Sequence, residues 1–486
     1  MSFDAAVGHF AKPTDAAPVD VTVSGLSFRP KALLLFTGGP TDANAYATGI
    51  LAGLGLAADG AGAYAAAFSS ANGVASTYNT ASRHAEKALT LVSADQATTA
   101  EAAAIAFTDD GFTLTLNPND ATAPLIGYLA LGGDSITGAA VIPFAAPSSA
   151  GDLAIAGAGF APDCALFLLQ GNLNPPPGAA GSSHLGLGFA ARNAGACAQT
   201  VYLTDAIGST ARTGTSETDP VAYPSNAVDS ALVAARLLTW DADGLTLHFH
   251  TAINAYRGAV LLLAGVAGRV VSGAKTTGAS ATLSAFGLHP PPAALIALAP
   301  ARVLPALRAG APLRFALGAA AGAAARALTL TATQNAGASV TRACFRDDAL
   351  LSLSTDALGN EAARLDPPDL TDPAPDLAWS VSDGLRHGMH LIALDAPAAP
   401  SYPDRNLQFV MLSATDRATA LADLTVTAHR STDNGAWTPT TNAPTEIGEG
   451  LYTLDLAPAD RTGRSITFRF AATGALTRYI TLLNDA

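Results

Sequence analysis

Gly25-Leu26-Ser27-Phe28-Arg29-Pro30-Lys31, running into Ala32-Leu33-Leu34-Leu35-Phe36, decides the reading of this chain because it returns twice in altered form. The second version is Gly159-Phe160-Ala161-Pro162-Asp163, running into Ala165-Leu166-Phe167-Leu168-Leu169. The third is Gly287-Leu288-His289-Pro290, running into Ala294-Leu295-Ile296-Ala297-Leu298. Pro30, Pro162 and Pro290 therefore stand at a nearly constant interval of about 130 residues, the mark of an internal repeat. Three further landmarks keep the same order. A glycine interrupts an apolar strand at Leu54-Gly55-Leu56, Leu187-Gly188-Phe189 and Leu317-Gly318-Ala319. An Asp-Gly turn enters a strand at Asp110-Gly111, Asp243-Gly244 and Asp383-Gly384. Each copy closes on an apolar strand: Tyr128 to Leu131, Val260 to Leu263, and Leu391 to Leu394.

One unit reads as β. Phe112-Thr113-Leu114-Thr115-Leu116 and Leu245-Thr246-Leu247-His248-Phe249 alternate apolar and polar residues, as half-buried strands do. Asp-Gly ahead of such a run is a strand-entry turn, since glycine accepts positive φ. Ala316 to Leu328 is alanine-rich, and propensity alone makes it a helix. Its alignment with the Gly55 and Gly188 strands makes it β instead. Many short strands separated by turns imply an all-β chain of three tandem, jelly-roll-like β-sandwich repeats over residues 1–137, 138–268 and 269–398. The hydrophobic strands of each unit are expected to serve that unit's own core. Residues 399–486 change character. Leu424 to Ala428, Gly450 to Leu456 and Ile466 to Phe470 alternate, and Asp433-Asn434-Gly435 is a turn signal. This end is expected to be a C-terminal immunoglobulin-like β-sandwich, with Trp437 packed in its core or a loop.

Bulk properties exclude several classes. Of the 486 residues, 49% are hydrophobic and 13% charged, too apolar for a disordered chain. A net charge of −13, with Lys plus Arg at 26, supplies no basic cluster for nucleic acid or anionic lipid. Cys164, Cys197 and Cys344 are far apart and lack CxxC spacing, so neither a zinc site nor a disulfide framework is signalled. The N-terminus lacks a basic region followed by an apolar one, so no signal peptide is expected. The longest apolar run, Ala259 to Ala267, falls far short of the ~20 residues that cross a bilayer, so no membrane insertion is expected.

The stretch from Asp110-Gly111-Phe112-Thr113-Leu114 through Gly127-Tyr128-Leu129-Ala130-Leu131-Gly132-Gly133-Asp134 to Gly159-Phe160-Ala161-Pro162 resembles a recurrent module of tailed-phage and prophage virion proteins. The end of the chain, with Thr445-Glu446-Ile447, Gly450-Leu451-Tyr452 and Leu456-Ala457-Pro458-Ala459-Asp460, is similar to small β-domains appended to phage fibre and spike proteins. Gene transfer agents use the same parts. The resemblance implies a non-enzymatic virion structural protein: a tail fibre, tail tip or head spike on the particle surface, assembled in the bacterial cytoplasm. It implies other virion proteins and a host cell-surface polysaccharide as partners. It also implies a homo-oligomer, for which a trimer is the usual solution. The rival readings are a glycan-active or SGNH-like esterase spike and a bacterial surface adhesin.

Candidate chemistry is sparse, and no catalytic, cofactor or metal residue is assigned. Gly133-Asp134-Ser135-Ile136-Thr137 resembles the nucleophile block of SGNH esterases. Copy two has Gly265-Val266-Ala267 there, and Asp383 and His387 are one residue too far apart for the required Asp-x-x-His. His248-Phe249-His250 puts two imidazoles on one strand face, a pair that can hold a metal, with His387 and His390 expected on the matching strand of copy three. Recognition is expected in long polar loops, Gly171 to Ser183, Asp205 to Asp229 and Leu358 to Pro375. In the first two, Asn172, Asn174, Tyr223 and Asn226 are the candidates for hydrogen bonding to or stacking on a sugar.

Overall fold

The computed structural model describes residues 2–74, 79–95, 97–170, 178–179, 182–192, 195–204, 211–224, 231–252, 256–274, 280–282, 291–299, 308–310, 313–334, 338–354, 360–372, 375–382, 387–397, 406–433, 435–463 and 465–483. They are almost entirely antiparallel β, 65% strand and 1% helix. The chain forms two compact units, residues 1–396 and 397–486.

The first unit contains one strand order three times. The first segment builds a seven-stranded sheet in the order Asp4–Ala11, Leu125–Gly132, Pro30–Thr37, Ile50–Ala58, Ala63–Ser70, Asn79–Ala85 and Gly178–Ala179. A four-stranded sheet accompanies it, in the order Val19–Val23, Gly111–Leu116, Thr98–Thr108 and Thr90–Val92. The second and third segments repeat both sheets strand for strand. Ala316 to Leu328 is β, divided between strands Leu313–Ala321 and Ala324–Gln334.

The seventh strand of each large sheet belongs to another segment. Gly178–Ala179 of the second segment pairs with Asn79–Ala85 of the first. Arg308–Gly310 of the third pairs with Arg212–Ser216 of the second. Tyr46–Thr48 of the first pairs with Ser339–Arg346 of the third. Three donations in one rotational sense close a cycle, as a heterologous interface closes a trimeric ring. Side chains reinforce each junction. Gln170 Nε2 donates to Ala67 O (3.2 Å), Gln199 Nε2 to Ala299 O (3.0 Å), and Arg342 Nη1 to Asn72 Oδ1 (2.6 Å).

The core explains why the landmark strands are continuous apolar runs. Leu33 and Leu35 point into a cluster with Phe112, Leu114 and Leu116 of the first segment's small sheet. Leu34 and Phe36, on the opposite face, enter a cluster built from all three segments. The second segment divides the same way: Ala165, Phe167 and Leu169 face its own small sheet, while Leu166 and Leu168 face the shared cluster. In the third, Leu295 and Ala297 face inward to the segment and Ile296 and Leu298 to the shared cluster. Strands buried on both faces lose the polar half of the alternation. The expectation of three separate cores is thus corrected: half of each central strand is committed to a common one.

The landmark glycines have one cause. A Cβ on Gly55, Gly188 or Gly318 would collide with the backbone carbonyl oxygen of Ala88, Pro220 or Leu350, so only glycine lets the connecting chain cross there. The Asp-Gly turns hold in two copies: Asp243 accepts from Gly157 N (3.0 Å) and Gly159 N (2.5 Å), and Asp110 from Gly25 N (3.4 Å). The third does not correspond. The strand expected after Asp383-Gly384 lies before it, at Asp376–Ser382, and the next described strand, Gly388–Asp395, is the closing one. Asp383 and Gly384 themselves lie outside the described residues.

Residues 397–486 form a three-stranded sheet, Asn406–Val410, Leu451–Asp455 and Thr445–Gly448, and a four-stranded one, Thr438–Pro439, Thr427–Thr432, Ser465–Ala471 and Arg478–Leu483. Phe409, Met411, Tyr452, Phe468 and Phe470 fill the core between them.

Candidate functional site

The structure redistributes the residues singled out for sugar binding. Tyr223 is fully buried on strand Val221–Pro224. Its hydroxyl donates to Arg257 O (2.8 Å), its ring stacks on Tyr256 with centroids 5.0 Å apart, and His184 meets it edge-on. A ring so enclosed has no face left for an external sugar, which corrects its assignment. Asn172, Asn174 and Asn226 lie outside the described residues. The expected loop Asp205 to Asp229 contains strands Arg212–Ser216 and Val221–Pro224, and Leu358 to Pro375 contains Glu361–Leu365. Gly171 to Ser183 contributes the pair Gly178–Ala179 to the neighbouring sheet.

Ser135 is buried, and its hydroxyl has no hydrogen-bond partner among the described residues. Among the described residues neither imidazole nor carboxylate engages it, so they do not assemble the geometry that activates a serine. His248 and His250 each take a separate carboxylate. His248 Nδ1 is 2.6 Å from Asp152 Oδ1, and His250 Nε2 is 3.3 Å from Asp219 Oδ2. Among the described residues no three His, Cys, Asp or Glu side chains gather as metal ligands would. His390 is not on the strand matching His248. It lies on the closing strand Gly388–Asp395, buried, with Nδ1 2.8 Å from Ser272 Oγ, and burial pushes its pKa down to about 4. All three cysteines are buried and free, and burial raises their thiol pKa values.

Two features escaped the sequence reading. One is an exposed aromatic pair in the second unit. Trp437 is 40% and Tyr479 60% exposed, their centroids are 6.2 Å apart, and the Arg469 guanidinium lies 5.0 Å over the indole. Trp437 thus lies in the loop between Thr427–Thr432 and Thr438–Pro439, packed against Tyr479 and Arg469, and not in the core.

The other is a cleft of about 180 Å³ between the first and second segments. Tyr64, Arg83 and Ala85 form one wall; Pro143, Phe144, Ala145, Arg257 and Gly258 form the other. Tyr64 is buried, which raises the pKa of its hydroxyl, while the positive charges of Arg83 and Arg257 oppose that rise. Arg257 and Pro143 are exposed and mark the mouth. Among the described residues no carboxylate lines this cleft, although the chain carries a net charge of −13. Sequence inspection could not have joined these residues, because the two arginines lie on different repeats.

No protein-family model matches the sequence, and no curated protein is significantly similar to it.

Proposed function

We propose that the chain is a structural component of a tailed-phage, prophage or gene-transfer-agent particle, a tail-fibre, tail-tip or head-spike subunit that attaches the particle to a host surface polysaccharide. The observation that carries the reading is the closed cycle of strand donation among three equivalent segments. Such a cycle fixes three copies of one β-unit around a common core with no assembly step between chains. Weak single contacts made by equivalent surfaces then add through avidity, because the second and third contacts are intramolecular. Each segment is read as a jelly-roll-like β-sandwich, and residues 399–486 as an immunoglobulin-like one. In place of the homo-oligomer that the resemblance implies, the three equivalent segments support reading the threefold arrangement as internal to one chain, and the protein as a monomer on the particle. Ser135, buried and without an activating partner among the described residues, supports the non-enzymatic over the esterase version.

Two measurements test this. Light scattering of the purified chain should give the mass of one copy; a stable trimer would overturn the internal-trimer reading. Electron microscopy of particles with and without the protein should show the loss of an appendage, together with reduced adsorption to cells. Unchanged particles that adsorb normally would sink the virion reading.

A further inference from the structure

The three junctions of the ring are equivalent in backbone and different in chemistry. Leu56, Phe189 and Ala319 each follow a landmark glycine, and they pair with Tyr64, Cys197 and Arg326. Two residues further along, Ala66, Gln199 and Leu328 pair with Arg83, Thr215 and Phe345. Across each junction, the residues paired with Ala11, Ala145 and Ala274 are Leu125, Arg257 and Gly388. Only the junction of the first and second segments therefore combines a tyrosine with two arginines at these positions.

The junction of the third and first segments engages its arginine within the fold. There Arg326 Nε donates to His9 Nδ1 (2.8 Å) and Nη1 to Asp347 O (3.0 Å), and Phe345 packs against the His9 ring. At the first junction the described lining of the cleft is two guanidinium groups, a phenol and otherwise apolar residues, and Arg83 also keeps a partner within the protein.

We infer that the cleft between the first two segments binds the carboxylate of an acidic sugar, a uronate-type residue of a surface polysaccharide. Guanidinium groups recognise carboxylates through paired charge-assisted hydrogen bonds. The Tyr64 hydroxyl supplies a neutral donor, and Pro143 and Phe144 offer an apolar surface to the CH face of a sugar ring. A volume of about 180 Å³ is more than an isolated oxyanion fills. It is below the ~300–1,000 Å³ of pockets for drug-sized ligands, which suits one ring of a longer chain entering and leaving at the mouth.

The inference takes its ligand source from the attachment reading, so the test separates the two. The full chain is titrated calorimetrically with a glucuronate-containing oligosaccharide, with its carboxyl-reduced counterpart, and with inorganic phosphate. The acidic oligosaccharide should bind, and both carboxyl reduction and Arg257→Gln should weaken it about tenfold or more. Arg257 is exposed, so this variant should melt as the wild type does; Tyr64→Phe, which keeps the ring, should weaken binding less. Equal binding of the reduced sugar, or wild-type affinity in Arg257→Gln, would overturn the site. Phosphate binding as tightly as the oligosaccharide would overturn the sugar assignment in favour of a bare-anion site. Particle adsorption is scored separately. Positive titration with unchanged adsorption to cells stripped of acidic polysaccharide removes the attachment reading alone. Absent titration with adsorption that depends on the polysaccharide removes the cleft alone.

Discussion

Residues 1–396 and 397–486 use the same antiparallel strands and solve burial differently. In the second unit, Ser465–Ala471 alternates strictly: Ile466, Phe468 and Phe470 are buried, while Ser465, Thr467, Arg469 and Ala471 are partly exposed. In the first unit, Cys164–Gln170 and Ala294–Ala299 are buried at every position. Alternation reports one covered face, and its loss reports two. The second covering layer in the first unit is the other two segments. Loss of alternation in the central strands is thus the imprint of the threefold core on the sequence.

The largest effect expected from this difference is at the crossing glycines. Gly188→Val puts a branched side chain onto the Pro220 carbonyl, and the backbone on both sides is pinned by pairing. A loss above ~4 kcal/mol is expected, enough to abolish cooperative unfolding of the first unit. Gly474 of the second unit has positive φ (+78°) but open space around its Cβ position. Gly474→Ala should cost about 1 kcal/mol, from backbone strain alone. Hydrogen exchange of the whole chain, read by peptide, checks both, and a cooperative, protected first unit in Gly188→Val would break the account.

An alanine scan probes the burial pattern itself. Replacing Leu33, Leu34 or Leu35 should each cost about 2–5 kcal/mol, with no period, because each is enclosed on whichever face it takes. Along the second unit, Phe468→Ala should cost about 3–5 kcal/mol and Thr467→Ala under about 0.5. A period of two in the Leu33–Leu35 costs would mean that one face is not truly packed.

The scan also marks what could be read in advance. The β character, the repeat and its glycine landmarks were legible because each rests on a local requirement: an apolar run, or a position where a Cβ cannot fit. The ring closure was not, because Tyr46–Thr48, Gly178–Ala179 and Arg308–Gly310 are too short to carry a pattern, and their partners lie on other repeats. Asp383-Gly384 misled because a turn dipeptide says that the chain bends without saying which strand follows. Tyr223 misled because polar surroundings in sequence stood in for exposure, whereas a strand and two aromatic neighbours enclose it. The arginine cleft needs the junction itself, which no single repeat encodes.

Acid should separate the two units. His184 and His390 are buried in the first unit, and burial holds both pKa values at about 4, below the ordinary 6.5. The unfolded chain takes up these protons first, so the native state is fully favoured above about pH 6.5 and loses up to about 3 kcal/mol per histidine as pH falls toward 4. In the second unit, Glu446 accepts from Gly450 N (2.8 Å) and Asp423 N (2.6 Å), and Asp416 accepts from the Thr419 hydroxyl and from Ala418 N and Thr419 N, which lowers both carboxyl pKa values. Their contribution is present above about pH 4 and lost only below it. Urea unfolding at pH 7 and pH 5 should weaken the first unit and spare the second. Equal weakening of both, or none in the first, would remove the histidines as its cause.

The smallest effect should come from the outer seam of the ring. Asn44 closes it from the first segment: its Nδ2 donates to Asp347 Oδ1 (2.6 Å), and its Oδ1 accepts from Asp347 N (3.3 Å). Asn44 also sits at φ +65°, a conformation that asparagine tolerates and alanine resists. Asn44→Gly keeps the backbone and deletes the bridge; Asn44→Ala deletes both. Solvent-exposed bonds of this kind contribute about 0.5–1.5 kcal/mol, so Asn44→Gly should leave global melting nearly unchanged and Asn44→Ala should lower it slightly more. Hydrogen exchange should quicken at Tyr46–Thr48 and along Ser339–Arg346, the strand it pairs with, and nowhere in the second unit. That outcome places the stability of the ring in its shared core and leaves the donated strand as a latch. Global unfolding of the first unit by Asn44→Gly would reverse the assignment, making strand donation the support of the threefold core.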